Sequence, residues 1–205
     1  MRRVVYPTGS RLREPYLTTA QAAKYLGLSP ATVQRMGQEY DMTDGRMGLR
    51  RSAPDNRLVA RDDLLLFERR RVAARYIIPI LEAIRRYAHG RGVMLVPMRL
   101  NFYCPVAAGD HRIRPRYMAH AFHTEWAGQG GICMAPEIAK QPVAVAAGVT
   151  LHEVGHVMCR QLDPLGAEPS ADQWVRDRLG IDIHYSPKTT VQYLDRAALR
   201  ALRLA

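Results

Sequence analysis

Long apolar runs are missing from this 205-residue sequence. No uninterrupted hydrophobic stretch approaches the ~20 residues that a membrane-spanning helix needs. The basic residues near the start, Arg2 and Arg3, are not followed by the apolar segment of a secretion signal. We therefore expect a cytoplasmic protein with no membrane partner.

Cysteines are also scarce, and the three present, Cys104, Cys133 and Cys159, have no paired spacing. This pattern argues against a disulfide framework and favours unpaired thiols. The remaining composition, 47% hydrophobic and 24% charged, provides enough apolar material for a packed core. A chain of this length fits one ordinary domain or two small ones.

Positive charge is concentrated in the first half of the chain. Residues 1–91 hold 18 Arg and Lys against 9 Asp and Glu, a net charge of +9. Residues 92–205 hold 12 against 10, a net charge of +2. A basic first half joined to a nearly neutral second half indicates that the first half binds a polyanion, although a solvated basic face would look the same.

Two short helices are predicted soon after a basic arm at residues 1–15. Thr18 and Gln21 form a capping box for the first helix, and Gly27 ends it. Ser29 and Pro30 then suit the cap and first position of a second helix, which should extend to about residue 38. Two helices joined by such a turn predict a helix-turn-helix, whose second helix can enter a major groove.

A hairpin wing and a further helix are predicted after this pair. Residues 49–51 and 57–60 are the two candidate arms, and Asp62 and Asp63 suit the cap of the next helix. Across residues 16–71 the chain resembles the excisionase and MerR-like family of winged helix-turn-helix domains. The resemblance implies binding of double-stranded DNA. The residues expected to contact it are Thr32, Gln34, Arg35, Arg50, Arg51 and Arg57.

A second motif, His152-Glu153-Val154-Gly155-His156, lies in a stretch that is apolar nearly all round. That composition predicts a buried helix. His152 and His156 are four residues apart, so both imidazoles project from one face and can bind one metal ion. Glu153 is placed to accept a proton from water at that metal, and Gly155 leaves room for close packing.

The third metal ligand is less clearly marked. A third histidine of the metzincin type would fall at position 162, which is Leu162. The chain instead has "TLHEVGH" followed by "EPSADQW", which resembles the ImmA/IrrE-type gluzincin metallopeptidases of phages and mobile elements. The resemblance implies that His152, His156 and Glu168 bind Zn²⁺, that Glu153 is the general base, and that Asp172 orients a ligand histidine.

Alternatives for the third ligand stay open, because only eleven residues separate His156 from Glu168. Asp172 and His184 are the other candidates, and Cys159 lies one helical turn beyond His156. His184 or Tyr185 can also stabilise the oxyanion of a tetrahedral intermediate.

Four strands are predicted before the motif, at residues 92–96, 98–103, 117–124 and 130–135. The last is expected at the sheet edge, where it would bind an extended peptide.

These patterns predict an α+β protein in three parts. Residues 1–71 would form a winged helix-turn-helix domain, residues 72–91 a helical linker, and residues 92–205 a small zincin-like domain with a mixed sheet and an active-site helix. The linker helix makes a homodimer one candidate assembly.

The predicted function is a DNA-binding zinc metalloprotease, by resemblance a regulatory protease of a phage or mobile element that cleaves a protein such as a repressor. Two alternatives stand beside it. One is a non-catalytic transcription factor or excisionase-like protein with a structural or sensing zinc site. The other is a protease that digests proteins crosslinked to DNA.

Overall fold

A computed structural model describes residues 16–42, 49, 58–102, 118–123, 130–159 and 168–205. For residues 39–42, 122–123 and 168–169 it describes the backbone alone. The structure mixes helices with small sheets, as the sequence predicts for an α+β protein. The chain divides into two compact units, Met1–Val72 and Ala73–Ala205.

The first unit contains strand β1 (Tyr16–Thr18), helix α1 (Thr19–Leu26), helix α2 (Pro30–Met42), strand β2 (Leu58–Ala60) and the start of helix α3 (Arg61–Gly90). The capping box is present, because Thr18 and Gln21 each accept a backbone hydrogen bond from the other. Gly27 ends α1 with a φ of 67°, in the left-handed region where glycine carries no steric penalty. A small apolar core holds these elements together; it comprises Leu17, Ala22, Ala23, Leu26, Val33, Leu49, Val59 and Leu64.

The predicted wing is only partly within the described residues, and its described strand has an unexpected partner. Strand β2 pairs antiparallel with β1, so that Leu17 lies opposite Val59. Leu49 is buried, and its N–H donates to the carbonyl of Met36 in α2. Apolar burial and this hydrogen bond therefore attach Leu49 to the helices. The basic arm at residues 1–15, Arg50 and Arg51 of the first candidate wing arm, and Arg57 of the second lie outside the described residues.

The predicted linker differs from what the structure shows. Residues 72–91 are helical almost throughout, but they continue a helix that begins at Arg61, and Asp62 and Asp63 lie in its first turn. Residues 73–88 of α3 contribute to the core of the second unit, through Ala73, Ile77, Ile80, Leu81, Ile84 and Ala88. Their apolar residues recur every three or four positions, which is the spacing of a helix face that packs against a core.

The second unit continues with strand β3 (Arg99–Asn101), strand β4 (Ala119–His123), strand β5 (Gly130–Met134) and a 3₁₀ turn at Pro136–Lys140. Helix α4 (Val143–Cys159), helix α5 (Glu168–Leu179), the hairpin strands β6 (His184–Tyr185) and β7 (Gln192–Tyr193), and helix α6 (Arg196–Ala201) follow. Three of the four predicted strands are present. The first predicted strand, at residues 92–96, is not formed: Gly92 lies in a turn with a φ of 73°, and residues 93–98 have no regular secondary structure.

The sheet order corrects one prediction. The strands lie in the order β3-β5-β4, with β3 parallel and β4 antiparallel to β5. Strand β5 is therefore central, and all five of its residues are buried. The prediction of an edge position for residues 130–135 is wrong, because a continuous apolar strand is stabilised by neighbours on both sides. Among the described strands of this sheet, β3 and β4 form the edges.

Within the residues that the structure describes, no helix is both long enough and apolar enough to span a lipid bilayer.

Candidate metal centre

Helix α4 carries the two histidines inside the second unit. Every residue from Ala146 to Val157 is buried, which agrees with the apolar composition of this segment. His152 and His156 are 1% and 8% exposed, and Glu153 between them is 6% exposed. Three ionisable side chains on one buried helix are costly unless they have polar or metal partners, because charged and polar groups lose hydration on burial.

The two imidazoles meet at their Nε2 atoms, within hydrogen-bond distance of each other. The Nε2 atoms of His152 and His156 are 2.9 Å apart, and the rings meet edge to face with centroids 4.6 Å apart. Two nitrogens bound to one tetrahedral zinc at ~2.0–2.1 Å lie about 3.3 Å apart. The observed separation is a few tenths of an ångström shorter, so a small rotation of either ring would fit both nitrogens to a metal ion.

Asp172 lies behind His152, on the side of the ring away from the Nε2 atoms. Its Oδ1 is 2.8 Å from the Nδ1 of His152. A carboxylate accepts hydrogen bonds, so the Nδ1–H of the neutral imidazole donates and the lone pair of Nε2 remains available. This is the contact that an aspartate makes when it orients a metal-binding histidine.

Tyr185, on β6, completes the polar group around Asp172. Its hydroxyl donates to Asp172 Oδ2 over 2.7 Å and lies 3.4 Å from His152 Nδ1. Both carboxylate oxygens of Asp172 therefore have partners on the Nδ1 side of His152. This arrangement directs Asp172 away from the Nε2 atoms, which argues against Asp172 as the third ligand.

His184 is adjacent to Tyr185 in the same strand but is directed elsewhere. Successive residues of a strand project to opposite faces. The ring of His184 packs against Tyr193 with centroids 5.5 Å apart, whereas Tyr185 faces His152. The structure thus brings Tyr185, and not His184, to the histidine pair.

Glu168 begins α5, one helical turn before Asp172, so the backbone places the two residues on one face of that helix. The side chain of Glu168 and the connection at residues 160–167 lie outside the described residues. Among the described side chains, no group of three or more His, Cys, Asp and Glu is arranged to hold a metal ion. A zinc site on the His152–His156 pair would therefore need a third ligand from outside the described side chains.

Cys159 does not supply that ligand in this arrangement. Its thiol is 3.4 Å from the carbonyl oxygen of Ser170 in α5, to which it donates. Burial raises the pKa of the Cys159 thiol, which favours the protonated form over the thiolate that binds zinc.

Close packing between α4 and α5 sets the distance from Asp172 to His152. A Cβ atom added to Gly155 would lie 2.6 Å from the carbonyl oxygen of Ala171, the residue before Asp172. A second close approach, at Gly148, brings α4 against the backbone of Tyr193 in β7. The sequence indicates the packing role of Gly155, but it contains no signal that pairs Gly148 with Tyr193 or Tyr185 with Asp172.

The candidate DNA-contacting residues belong to the first unit and are described separately. Gln34 and Arg35 are exposed on α2. Thr32 is half-buried, and its hydroxyl lies 2.9 Å from that of Ser29, whose Oγ also accepts the Thr32 N–H. Thr32 thus contributes to the start of α2. Arg50, Arg51 and Arg57 lie outside the described residues.

Comparison with known proteins found no family model that matches the chain, no similar curated protein and no similar solved structure. The two sequence motifs and the geometry around them are therefore the observations that bear on function.

Replacing Gly155 with alanine tests the packing of α4 against α5. Alanine normally stabilises a helix interior relative to glycine by ~1 kcal/mol. Here we expect the opposite sign, a loss of ~1–3 kcal/mol in the free energy of unfolding, because the added methyl group meets backbone that cannot rotate away. Denaturant unfolding measures the change.

Gly90→Ala is the matched control, since a Cβ atom at Gly90 meets nothing within 4 Å. Its unfolding free energy should stay within ~0.5 kcal/mol of the unsubstituted protein or rise slightly. Equal effects of the two substitutions would contradict the packing argument.

Proposed function

We propose that this chain is a DNA-binding zinc metallopeptidase with an active site centred on His152, Glu153 and His156. The observation that carries the proposal is the convergence of two buried histidine Nε2 atoms, with Asp172 hydrogen-bonded to the far nitrogen of one ring. A carboxylate at the far nitrogen of a histidine fixes which ring nitrogen carries the proton. A metal-binding pair benefits from one, because the carboxylate orients the ring and raises the basicity of the ligand.

Zn²⁺ is the metal that this donor set favours. Some catalytic zinc sites have two imidazoles and a carboxylate as their protein ligands. Such sites keep a fourth position open for substrate or water. His152 and His156 would hold the ion, and Glu168 is the proposed third ligand because α5 begins with it, one turn before the aspartate that contacts His152. Zinc bound there would supply Lewis-acid chemistry, polarising a scissile carbonyl and activating water.

Glu153 is the proposed general base. It follows His152 directly, so it lies about 100° around the helix from His152 and about 60° from His156. Glu153 is also buried, with 6% of its surface exposed. In this position the carboxylate accepts a proton from the attacking water and returns it to the amine that leaves when the peptide bond breaks.

The edges of the three-stranded sheet give the peptide substrate a place to bind. Strand β4 is an edge strand among the described strands, runs antiparallel to β5 and packs against α4. An extended peptide can add to such an edge through backbone hydrogen bonds, which bind it with little dependence on its sequence. We therefore assign to β4 the substrate-binding role that the sequence suggested for residues 130–135.

The first unit is proposed to bind double-stranded DNA through α2. The exposed side chains of Gln34 and Arg35 can form bidentate hydrogen bonds with adenine and guanine. The net charge of +9 in residues 1–91 supports attraction to phosphates.

A protease attached to a sequence-specific DNA-binding module fits a regulatory role, in which the substrate is a protein bound nearby, such as a repressor. On the resemblance of the two motifs, we also propose that the protein belongs to a phage or mobile element.

Glu153→Gln tests the catalytic assignment. The amide is similar in size but cannot accept the proton, so cleavage of a peptide library, followed by mass spectrometry, should fall by ~10²–10⁴-fold. Zinc content should remain at the level of the unsubstituted protein. Glu137→Gln, at an exposed position of the second unit, is the control and should retain full cleavage. Unchanged cleavage by the Glu153 variant would exclude Glu153 as the base.

Arg35→Ala and Gln34→Ala test the DNA-binding assignment. Selection from a random duplex library should give one preferred sequence for the unsubstituted protein. Each variant should lose ~1–3 kcal/mol of discrimination at one base position. Lys24→Ala removes a positive charge from an exposed position of α1, and it should weaken binding to all sequences without changing the preference. A protein with no sequence preference would support the crosslink-repair alternative over a regulator.

A further inference from the structure

Tyr185 forms a hydrogen-bonded series with Asp172 and His152. The hydroxyl donates to Asp172 Oδ2 at 2.7 Å, and Asp172 Oδ1 accepts from His152 Nδ1 at 2.8 Å. The three residues come from three elements, since Tyr185 lies on β6, Asp172 on α5 and His152 on α4. Each oxygen of the carboxylate is thus held by a donor from a different element.

Two donors are needed to fix this carboxylate. The terminal torsion of an aspartate has a broad energy minimum, so a carboxylate held at one oxygen can still rotate. Asp172 is also 17% exposed in its side chain, which leaves water as a competing partner. The Tyr185 hydroxyl occupies Oδ2 and keeps Oδ1 directed at the histidine.

The hairpin that carries Tyr185 is itself attached to α4. Strand β6 pairs antiparallel with β7, so that Tyr185 lies opposite Gln192. The N–H of Leu194, just after β7, donates to the carbonyl of Ala144 in α4 over 3.0 Å. Gly148 of α4 lies directly against the backbone of Tyr193. These contacts hold the hydroxyl at a set distance from the helix that carries the metal-binding histidines.

The hydroxyl lies on the wrong side of His152 for an oxyanion stabiliser. It is 3.4 Å from Nδ1, whereas the nitrogen that converges with His156 is Nε2, across the ring. Its proton is also committed to Asp172. A donor that stabilises a tetrahedral intermediate must instead point to the position of the developing oxyanion.

We propose that Tyr185 is a positioning residue, which acts through Asp172 to keep His152 in the Nδ1–H tautomer with the lone pair of Nε2 directed at the metal position. This inference deepens the proposed function and rests on the metal site assigned there. It replaces the direct role in transition-state stabilisation that the sequence suggested for Tyr185.

Tyr185→Phe is the principal variant, because it removes the hydroxyl and keeps the ring that faces His152. Tyr193→Phe is the matched control, since it removes a hydroxyl from the other strand of the same hairpin, where the ring packs against His184. Asp172→Ala and the double variant Asp172→Ala/Tyr185→Phe complete a mutant cycle. Two measurements are made on the full chain, titration of the apoprotein with Co²⁺ and ¹⁵N NMR of the His152 ring in the apoprotein.

The proposal predicts that Tyr185→Phe weakens Co²⁺ binding by ~10-fold, the lower end of the range for partners of metal ligands. Tyr193→Phe should remain within ~2-fold of the unsubstituted protein. Adding Tyr185→Phe to Asp172→Ala should cause no further loss beyond ~2-fold, because the hydroxyl acts only through the carboxylate. In the apoprotein, Tyr185→Phe should increase the fraction of the Nε2–H tautomer of His152.

Unchanged Co²⁺ affinity in Tyr185→Phe, with reduced peptide cleavage, would overturn the proposal and restore the oxyanion role. An unchanged His152 tautomer in that variant would also overturn it. If the unsubstituted protein binds no Co²⁺, the proposed function fails. The tautomer measurement still decides whether Tyr185 fixes His152, so the two failures are distinguishable.

Discussion

The close contact between α4 and α5 at Gly155 is the constraint on which the candidate centre depends. A glycine in the middle of a buried helix gives up helix propensity, and the loss is offset only if something occupies the space of its missing side chain. Here that space holds the backbone of Ala171. Because Asp172 follows Ala171 directly, the same contact brings the carboxylate to 2.8 Å from His152. The packing of α4 against α5 and the position of Asp172 therefore both depend on Gly155.

Burial makes polar partners necessary for the three ionisable side chains on α4. His152, Glu153 and His156 lie on a helix that is otherwise apolar, where water cannot compensate for a missing partner. Each known contact is directional: Asp172 with His152 Nδ1, Tyr185 with Asp172, and His152 Nε2 with His156 Nε2. The hairpin and α5 thus contact His152 on its Nδ1 side. The two Nε2 atoms face each other on the opposite side of the ring.

Local patterns in the sequence predicted local structure well. The capping box at Thr18 and Gln21, the glycine end of α1 and the buried helix around His152 all follow from short-range chemistry, and the structure confirms them. Long-range pairing was harder to predict. The apolar run at residues 130–134 indicates a buried strand, but nothing in it shows that β5 has a neighbour on each side. Likewise, β2 pairs with β1, a partner 40 residues earlier.

In the candidate centre, too, the local features were predictable from the sequence and the long-range contacts were not. The spacing of His152 and His156 places both rings on one face, and an aspartate was expected beside one of them. The contribution of Tyr185 could not be derived, because it depends on a hairpin that begins 32 residues after His152 in sequence. The linker prediction differed from the structure because helical periodicity alone does not reveal which core an apolar face joins.

The proposed peptidase activity requires a zinc ion held by His152, His156 and a carboxylate. X-ray absorption at the zinc edge of the purified 205-residue chain, with metal content measured on the same sample, shows directly whether this ion is bound. We expect one zinc per chain, with nitrogen and oxygen ligands at about 2.0–2.2 Å and no sulfur ligand. Glu168→Ala should lower the zinc content. Protein without zinc under metal-replete conditions, or a sulfur ligand at about 2.3 Å, would contradict the proposed site.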